Sequence, residues 1–128
     1  MAKIYTMKKI SFFVLVCLAL AIFAFDHPKN SLVGRWTINY RGDHAQAEFK
    51  ADGSFTAIDD HGGFDLGGKY KIKDGVLYIV DSTCGDKYWG KYKQTFVTED
   101  SIFSVAIADS CFARKIVLDG ATMNRKKM

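Results

Sequence analysis

Three Asp-Gly pairs, Asp52-Gly53, Asp74-Gly75 and Asp119-Gly120, separate stretches in which apolar and polar residues alternate. Both residue types tolerate the positive φ that tight hairpins require, so each pair reads as a chain reversal between antiparallel strands. Glu99-Asp100 marks a fourth reversal. Between them, Trp36, Ile38 and Tyr40 alternate with Arg35, Thr37, Asn39 and Arg41, and Ala45, Ala47 and Phe49 alternate with Gln46, Glu48 and Lys50. A period of two gives each strand one buried face. No window after Asn30 repeats apolar residues at helical spacing, so the fold class is all-β.

These signals place strands at 35–40, 45–50, 54–59, 68–73, 76–81, 91–98, 101–107 and 113–118, with a short tail strand at 121–125. Tight connections then alternate with longer ones at Arg41 to His44, Asp60 to Gly67, Ser82 to Gly90 and Asp109 to Phe112. Successive connections of a meander fall at opposite ends of the sheet. The expectation is a single antiparallel up-and-down meander closing into an eight-stranded barrel, with tight turns at one end and a loop-rich mouth at the other.

The first residues are of another kind. Met1 to Lys9 carries three lysines and no acid, and Ile10 to Phe25 is an apolar run ending near small residues. That is the pattern of a signal peptide over 1–24, followed by a linker at 25–31 and one barrel domain at 32–128. The implied location is secreted, periplasmic or extracellular, with no stable membrane span after leader cleavage. Met7 is a second suitable start, and Cys17 is read as a leader residue. Without Lys3, Lys8 and Lys9 the charge balance is 15 − 14 = +1, which argues against nucleic acid as a partner. Lys69, Lys71, Lys73, Lys91 and Lys93 alternate with apolar residues and are read as solvated outer faces.

Loss of the leader leaves Cys84 and Cys111 in an oxidising compartment, where they are expected to pair. Both fall in loops of the mouth. Closing the 28-residue loop corresponds to about 3.6 kcal/mol of chain entropy. The histidines at 27, 44 and 61 lie too far off in sequence to favour a two-cysteine metal site.

Gly34-Arg35-Trp36 opens the first strand, and here the chain resembles the lipocalin-like (calycin) barrels, in particular the compact secreted bacterial ones. The resemblance covers the Gly-x-Trp triplet and the strand order from Leu32 to Arg125. It implies that Trp36 closes the bottom of the barrel and that a basic residue after the last strand, Arg125, packs across it. Gly34, Trp36 and Arg125 are the structural residues so implied.

No Ser or Cys stands with His and a carboxylate in a pattern for nucleophilic catalysis, so no catalytic residue, metal or cofactor is expected. Asp59-Asp60-His61-Gly62-Gly63, with His44 and Asp65 nearby, is read as a turn-forming loop; an enzyme built on His61 and Asp60 is the weakest reading. Counting parity from Trp36 puts Ile38, Tyr40, Phe49, Phe55, Tyr70, Ile72, Tyr78, Tyr92, Gln94, Phe96, Phe103, Val105, Ile107, Arg114 and Ile116 on the inner face. Buried hydroxyls, an amide and a guanidinium need partners, which favours a hydrated cavity over a dry core. The expected ligand site is Tyr40, Phe49, Phe55, Tyr70, Tyr78, Tyr92, Gln94, Phe103 and Arg114. Arg114 either pairs with a rim carboxylate, Asp109 or Asp86, or grips an anionic head group. Tyr88 and Trp89, in a glycine-flanked loop, form either a lid or a contact patch on the rim. The expected function is non-enzymatic binding of a small hydrophobic or amphipathic ligand; the alternative is a protein-binding or inhibitory barrel using the rim.

Overall fold

The computed structural model describes residues 30–127. The leader expected at 1–24 and most of the linker lie outside these residues. The chain forms β1 (Gly34–Tyr40), β2 (Asp43–Phe49), β3 (Ser54–Asp59), β4 (Asp65–Lys73), β5 (Val76–Asp81), β6 (Gly90–Thr98), β7 (Ser101–Ala108), a helix α1 (Phe112–Leu118) and β8 (Thr122–Arg125). The eight strands pair antiparallel in sequence order and close into a barrel through β1 and β8, where Trp36 lies opposite Arg125 and Asn39 opposite Thr122. Among the described residues the buried apolar cluster runs from Leu32 to Met123. No helix among the described residues is long and apolar enough to cross a membrane.

At one end the reversals are Lys50 to Gly53, Asp74-Gly75 and Glu99-Asp100. Asp74 and Gly75 both adopt positive φ, 53° and 75°, as a two-residue hairpin demands. Trp36 is fully buried at this end. Its indole N–H donates to the Leu32 carbonyl at 2.7 Å, its ring meets Phe96 edge-on, and the Arg125 guanidinium lies 4.3 Å from its centroid. Arg125 also donates to the carbonyls of Ser31, Val33 and Glu99 and to Asp100, so one cation ties the entering chain to the β6–β7 turn. Gly34 is needed here because a Cβ would stand 2.8 Å from Arg125 Nη1, and its φ of 134° suits only glycine.

The opposite end differs from expectation in three ways. The β1–β2 connection is the two-residue turn Arg41-Gly42, with φ of 47° and 78°, where a longer loop was expected. Residues 113–118 form a helix instead of a strand: Arg114, Val117 and Leu118 recur at i, i+3 and i+4 and turn inward, while Phe112, Ala113 and Lys115 are exposed. Asp119-Gly120 consequently lies at the mouth, and the stretch at 121–125 supplies the eighth strand. The N-terminal helical residue follows Cys111, which is bonded to Cys84 with Cα atoms 5.7 Å apart, so the disulfide ties the start of α1 to the β5–β6 loop.

Candidate functional site

Register decides which side chains reach the interior. Across the Asp74-Gly75 hairpin, Tyr70 lies opposite Ile79 and Ile72 opposite Leu77, so Leu77 and Ile79 are inside and Tyr78, opposite Lys71, is outside. The expectation for Tyr78 is thereby corrected: the run Val76 to Val80 is apolar throughout and its parity follows from the turn alone. Phe103 is corrected for a different reason. A plain hairpin at Glu99-Asp100 would set it opposite Phe96, but a β-bulge between Phe96 and Thr98 brings Ile102 there instead. The whole of β7 is turned over. Ile102 and Ser104 are buried, and Phe103, Val105 and Ile107 face solvent.

Phe49, Phe55 and Tyr70 pack as one aromatic group, with Phe55 stacked on Phe49 at 5.6 Å and Tyr70 edge-on at 5.0 Å. The Tyr70 hydroxyl donates to the Lys50 carbonyl at 2.6 Å, at the end of the barrel that Trp36 occupies, and partial burial raises its pKa. Tyr40 reaches Asp59 at the mouth, 3.4 Å away, and burial and then the nearby carboxylates of Asp59 and Asp43 raise its pKa. Gln94 donates to the Ser104 hydroxyl at 2.8 Å inside the barrel, while its buried Oε1 has no protein partner.

Above this floor, beneath α1, lies a cavity of about 210 Å³. Ile38, Ala47, Phe49, Phe55, Ala57, Leu66 and Ile79 form its apolar walls, and Ala113, Arg114, Val117 and Leu118 of α1 form its roof. It reaches the surface beside Gly63 and Thr83, both exposed. Small alanines on β2 and β3 leave this space where Phe or Leu would fill it.

The polar edge of the cavity is a closed ion network. Arg114 Nε and Nη2 donate to the two oxygens of Asp109, both at 2.8 Å, Nη1 donates to Asp81 at 3.2 Å, and Nη2 donates to the Tyr88 carbonyl at 2.7 Å. Side-chain exposure is 4% for Arg114, 3% for Asp81 and 0% for Asp109, so this is a buried triad. The Tyr92 hydroxyl donates to Asp109 from below. Burial favours protonated Asp109, but hydrogen bonds from Arg114, from Tyr92 and from the Cys111 N–H outweigh it and hold the carboxyl below its ordinary range. For Arg114 burial acts against the charge, and Asp109 and then Asp81 more than restore it, so its pKa is raised. Burial, then the bond to Asp109, pushes the Tyr92 phenol well up.

Arg114 therefore enters the mouth from a helix and is paired internally. Of the two carboxylates expected, Asp109 serves; Asp81, which no parity argument singled out, takes the second place instead of Asp86. A signal existed in the sequence, since Asp81 ends the apolar run of β5 and an inward carboxylate there needs a cation. Trp89 does not lie over the mouth: its ring sits on the outer wall, 5.1 Å from Lys71 Nζ, and Tyr88 is exposed beside it. His61 is exposed and lies 3.2 Å from Asp43, and His44 is 2.6 Å from Asn39, so neither histidine lines the cavity. Among the described residues no three His, Cys, Asp or Glu side chains are grouped to hold a metal ion.

Comparison of the chain with protein-family models, with curated proteins and with solved structures finds no match.

Proposed function

We propose that the protein is a non-enzymatic, lipocalin-like binding barrel whose ligand is a small, mostly apolar molecule without negative charge, seated in the cavity under α1. The apolar cavity itself carries this reading. Its volume is of the order that admits a single small ring or a short chain, since an engineered apolar cavity of about 150 Å³ binds benzene. Charge selects among such molecules. Arg114 and Asp81 line the cavity and Asp109 stands behind Arg114, so one guanidinium is matched by two carboxylates and an anionic head group would meet a net negative triad. The Arg114 donors are already committed to Asp109, Asp81 and the Tyr88 carbonyl, whereas Asp81 accepts one bond from Arg114 and one from the Thr83 N–H and keeps capacity for another. A ligand hydroxyl, amide or ammonium would complete it. The rim-docking alternative draws no comparable support, because Trp89 is engaged on the outer wall.

Native mass spectrometry of protein purified from its own host should find a retained neutral or cationic small molecule. The variant Ala57→Leu, which fills the cavity, should lose it while unfolding at nearly the same urea concentration. A carboxylate ligand, or retention unaffected by Ala57→Leu, would overturn the assignment.

A further inference from the structure

The outer wall of β4 to β7 is unlike the rest of the surface. Outward positions on β4 and β6 include Lys69, Lys71 and Lys73, and Lys91 and Lys93, all exposed, with Asp65 the one outward acid of β4, at its mouth end. Register makes them neighbours: Lys71 lies opposite Tyr78, which lies opposite Lys91, and Lys73 lies opposite Val76, which lies opposite Lys93. No carboxylate occupies an outward position on β5, β6 or β7, and among the described residues none of the five lysines is ion-paired. Instead, Lys71 Nζ stands 5.4 Å from the Tyr78 ring and 5.1 Å from Trp89, and Lys91 Nζ stands 5.6 Å from Tyr78. On the opposite wall charges of both signs meet, as in the Arg35–Glu48 pair.

The basic rows run directly into an apolar one. Lys93 is opposite Val105, and Phe103, Val105 and Ile107 are 42%, 40% and 56% exposed. This is the more apolar face of β7, turned outward while Ser104 and Ala106 face in. β7 buries Ile102 and Ser104 but leaves Phe103, Val105 and Ile107 in solvent, an apolar row without a partner on the outer side. Following one another around the closed barrel at about 4.8 Å spacing, these strands place the Tyr78 row between two lysine rows and the Phe103, Val105 and Ile107 row next to the second.

We propose that this wall docks the protein peripherally on a membrane surface containing anionic lipid. Lysines meet the headgroup charge, Tyr78 and Trp89 sit at headgroup depth where aromatic rings are favoured, and the β7 row enters the acyl boundary. A soluble polyanion would satisfy the lysines but leave the β7 row in water, so the bilayer is the occupant that answers both. The barrel would lie on its side, with the cavity opening at the edge of the contact.

The test uses the protein as purified from its own host, and vesicles of phosphatidylcholine with and without phosphatidylglycerol. Cosedimentation is expected only with phosphatidylglycerol and should fall as salt is raised. The outward variant Lys71→Glu/Lys91→Glu/Lys93→Glu should bind at least about tenfold more weakly, and Phe103→Ser/Ile107→Ser should also weaken binding, both with an unchanged urea midpoint. Absence of binding to anionic vesicles, or equal binding to neutral ones, overturns the proposal. Lysine-dependent binding that the β7 variant leaves intact, matched by capture on heparin, would instead assign the wall to a soluble polyanion and equally overturn it.

Discussion

Replacing Arg114 by Met keeps an unbranched apolar stem and removes the guanidinium, which isolates what the buried triad does. The variant leaves Asp109 and Asp81, 0% and 3% exposed at the side chain, as two carboxylates facing one another without a cation. Removing one partner of a buried ion pair costs about 3–5 kcal/mol, most of it the burden of the charge left behind. Two orphans share one lost cation here, so the upper half of that range is expected. For a domain of this size, stabilised by roughly 5–15 kcal/mol in total, such a loss lowers the melting temperature by at least about 10 °C. Urea unfolding at neutral pH, with the disulfide intact, is the measurement, and the slope should stay unchanged while the midpoint falls. The triple variant Asp81→Asn/Asp109→Asn/Arg114→Met removes all three charges and should recover most of the loss, because a triad replaced as a unit is close to neutral. A loss below about 1 kcal/mol for the single variant, or a triple variant no better than the single, would refute the triad as the fastening of α1 to the mouth.

Other expectations follow from single features. Reduction of Cys84–Cys111, or Cys84→Ala/Cys111→Ala, should lower stability by about 3 kcal/mol in urea titration, somewhat under the chain-entropy value of about 3.6. Arg41→Asn should raise stability by roughly 0.5–1 kcal/mol, since Arg41 holds φ at 47° and Asn adopts that conformation more readily. Asp109 titrates lower in the native state than in the unfolded chain, so its contribution is complete above the unfolded value of about 3.9 and disappears as pH falls through the native one. Acid denaturation of Asp109→Asn should therefore show a shallower loss of stability below about pH 4 than the wild type does.

How much of this was legible depends on where local chemistry and register agree. Asp74-Gly75 identifies its own turn, and the β1 alternation places Trp36 and Ile38 correctly, because both signals are local. Arg41-Gly42 was hidden because arginine is not a residue that announces a positive-φ turn; only the sheet, by pairing Tyr40 with Asp43, imposes it. The helix at Phe112–Leu118 was hidden by its seven residues, too few to show a repeat, in which Arg114, Ile116 and Leu118 also alternate. Tyr78 could have been placed by counting two residues across Asp74-Gly75. Phe103 could not, since the bulge after Phe96 inserts one residue that no local motif marks. The site divides in the same way: Cys84, Cys111, Phe49, Phe55 and the inward Arg114 are legible in sequence, whereas Asp81 and the cavity roof depend on a helix whose residues also fit the alternation of a strand.

The seam between β1 and β8 has a consequence for how such a chain is made. Polypeptides emerge N-terminus first, so β1 exists long before Thr122–Arg125 can meet it, and until then one edge of β1 presents unpaired backbone groups. Strands β2 to β7 can assemble as a growing sheet, but Trp36 has no guanidinium above it and the Ser31 and Val33 carbonyls have no donor from Arg125 before that residue is released. A nascent chain halted before Thr122 is therefore an open sheet with two sticky edges, β1 and β7, and loss of Thr122–Arg125 undoes the closure as a whole instead of fraying one strand.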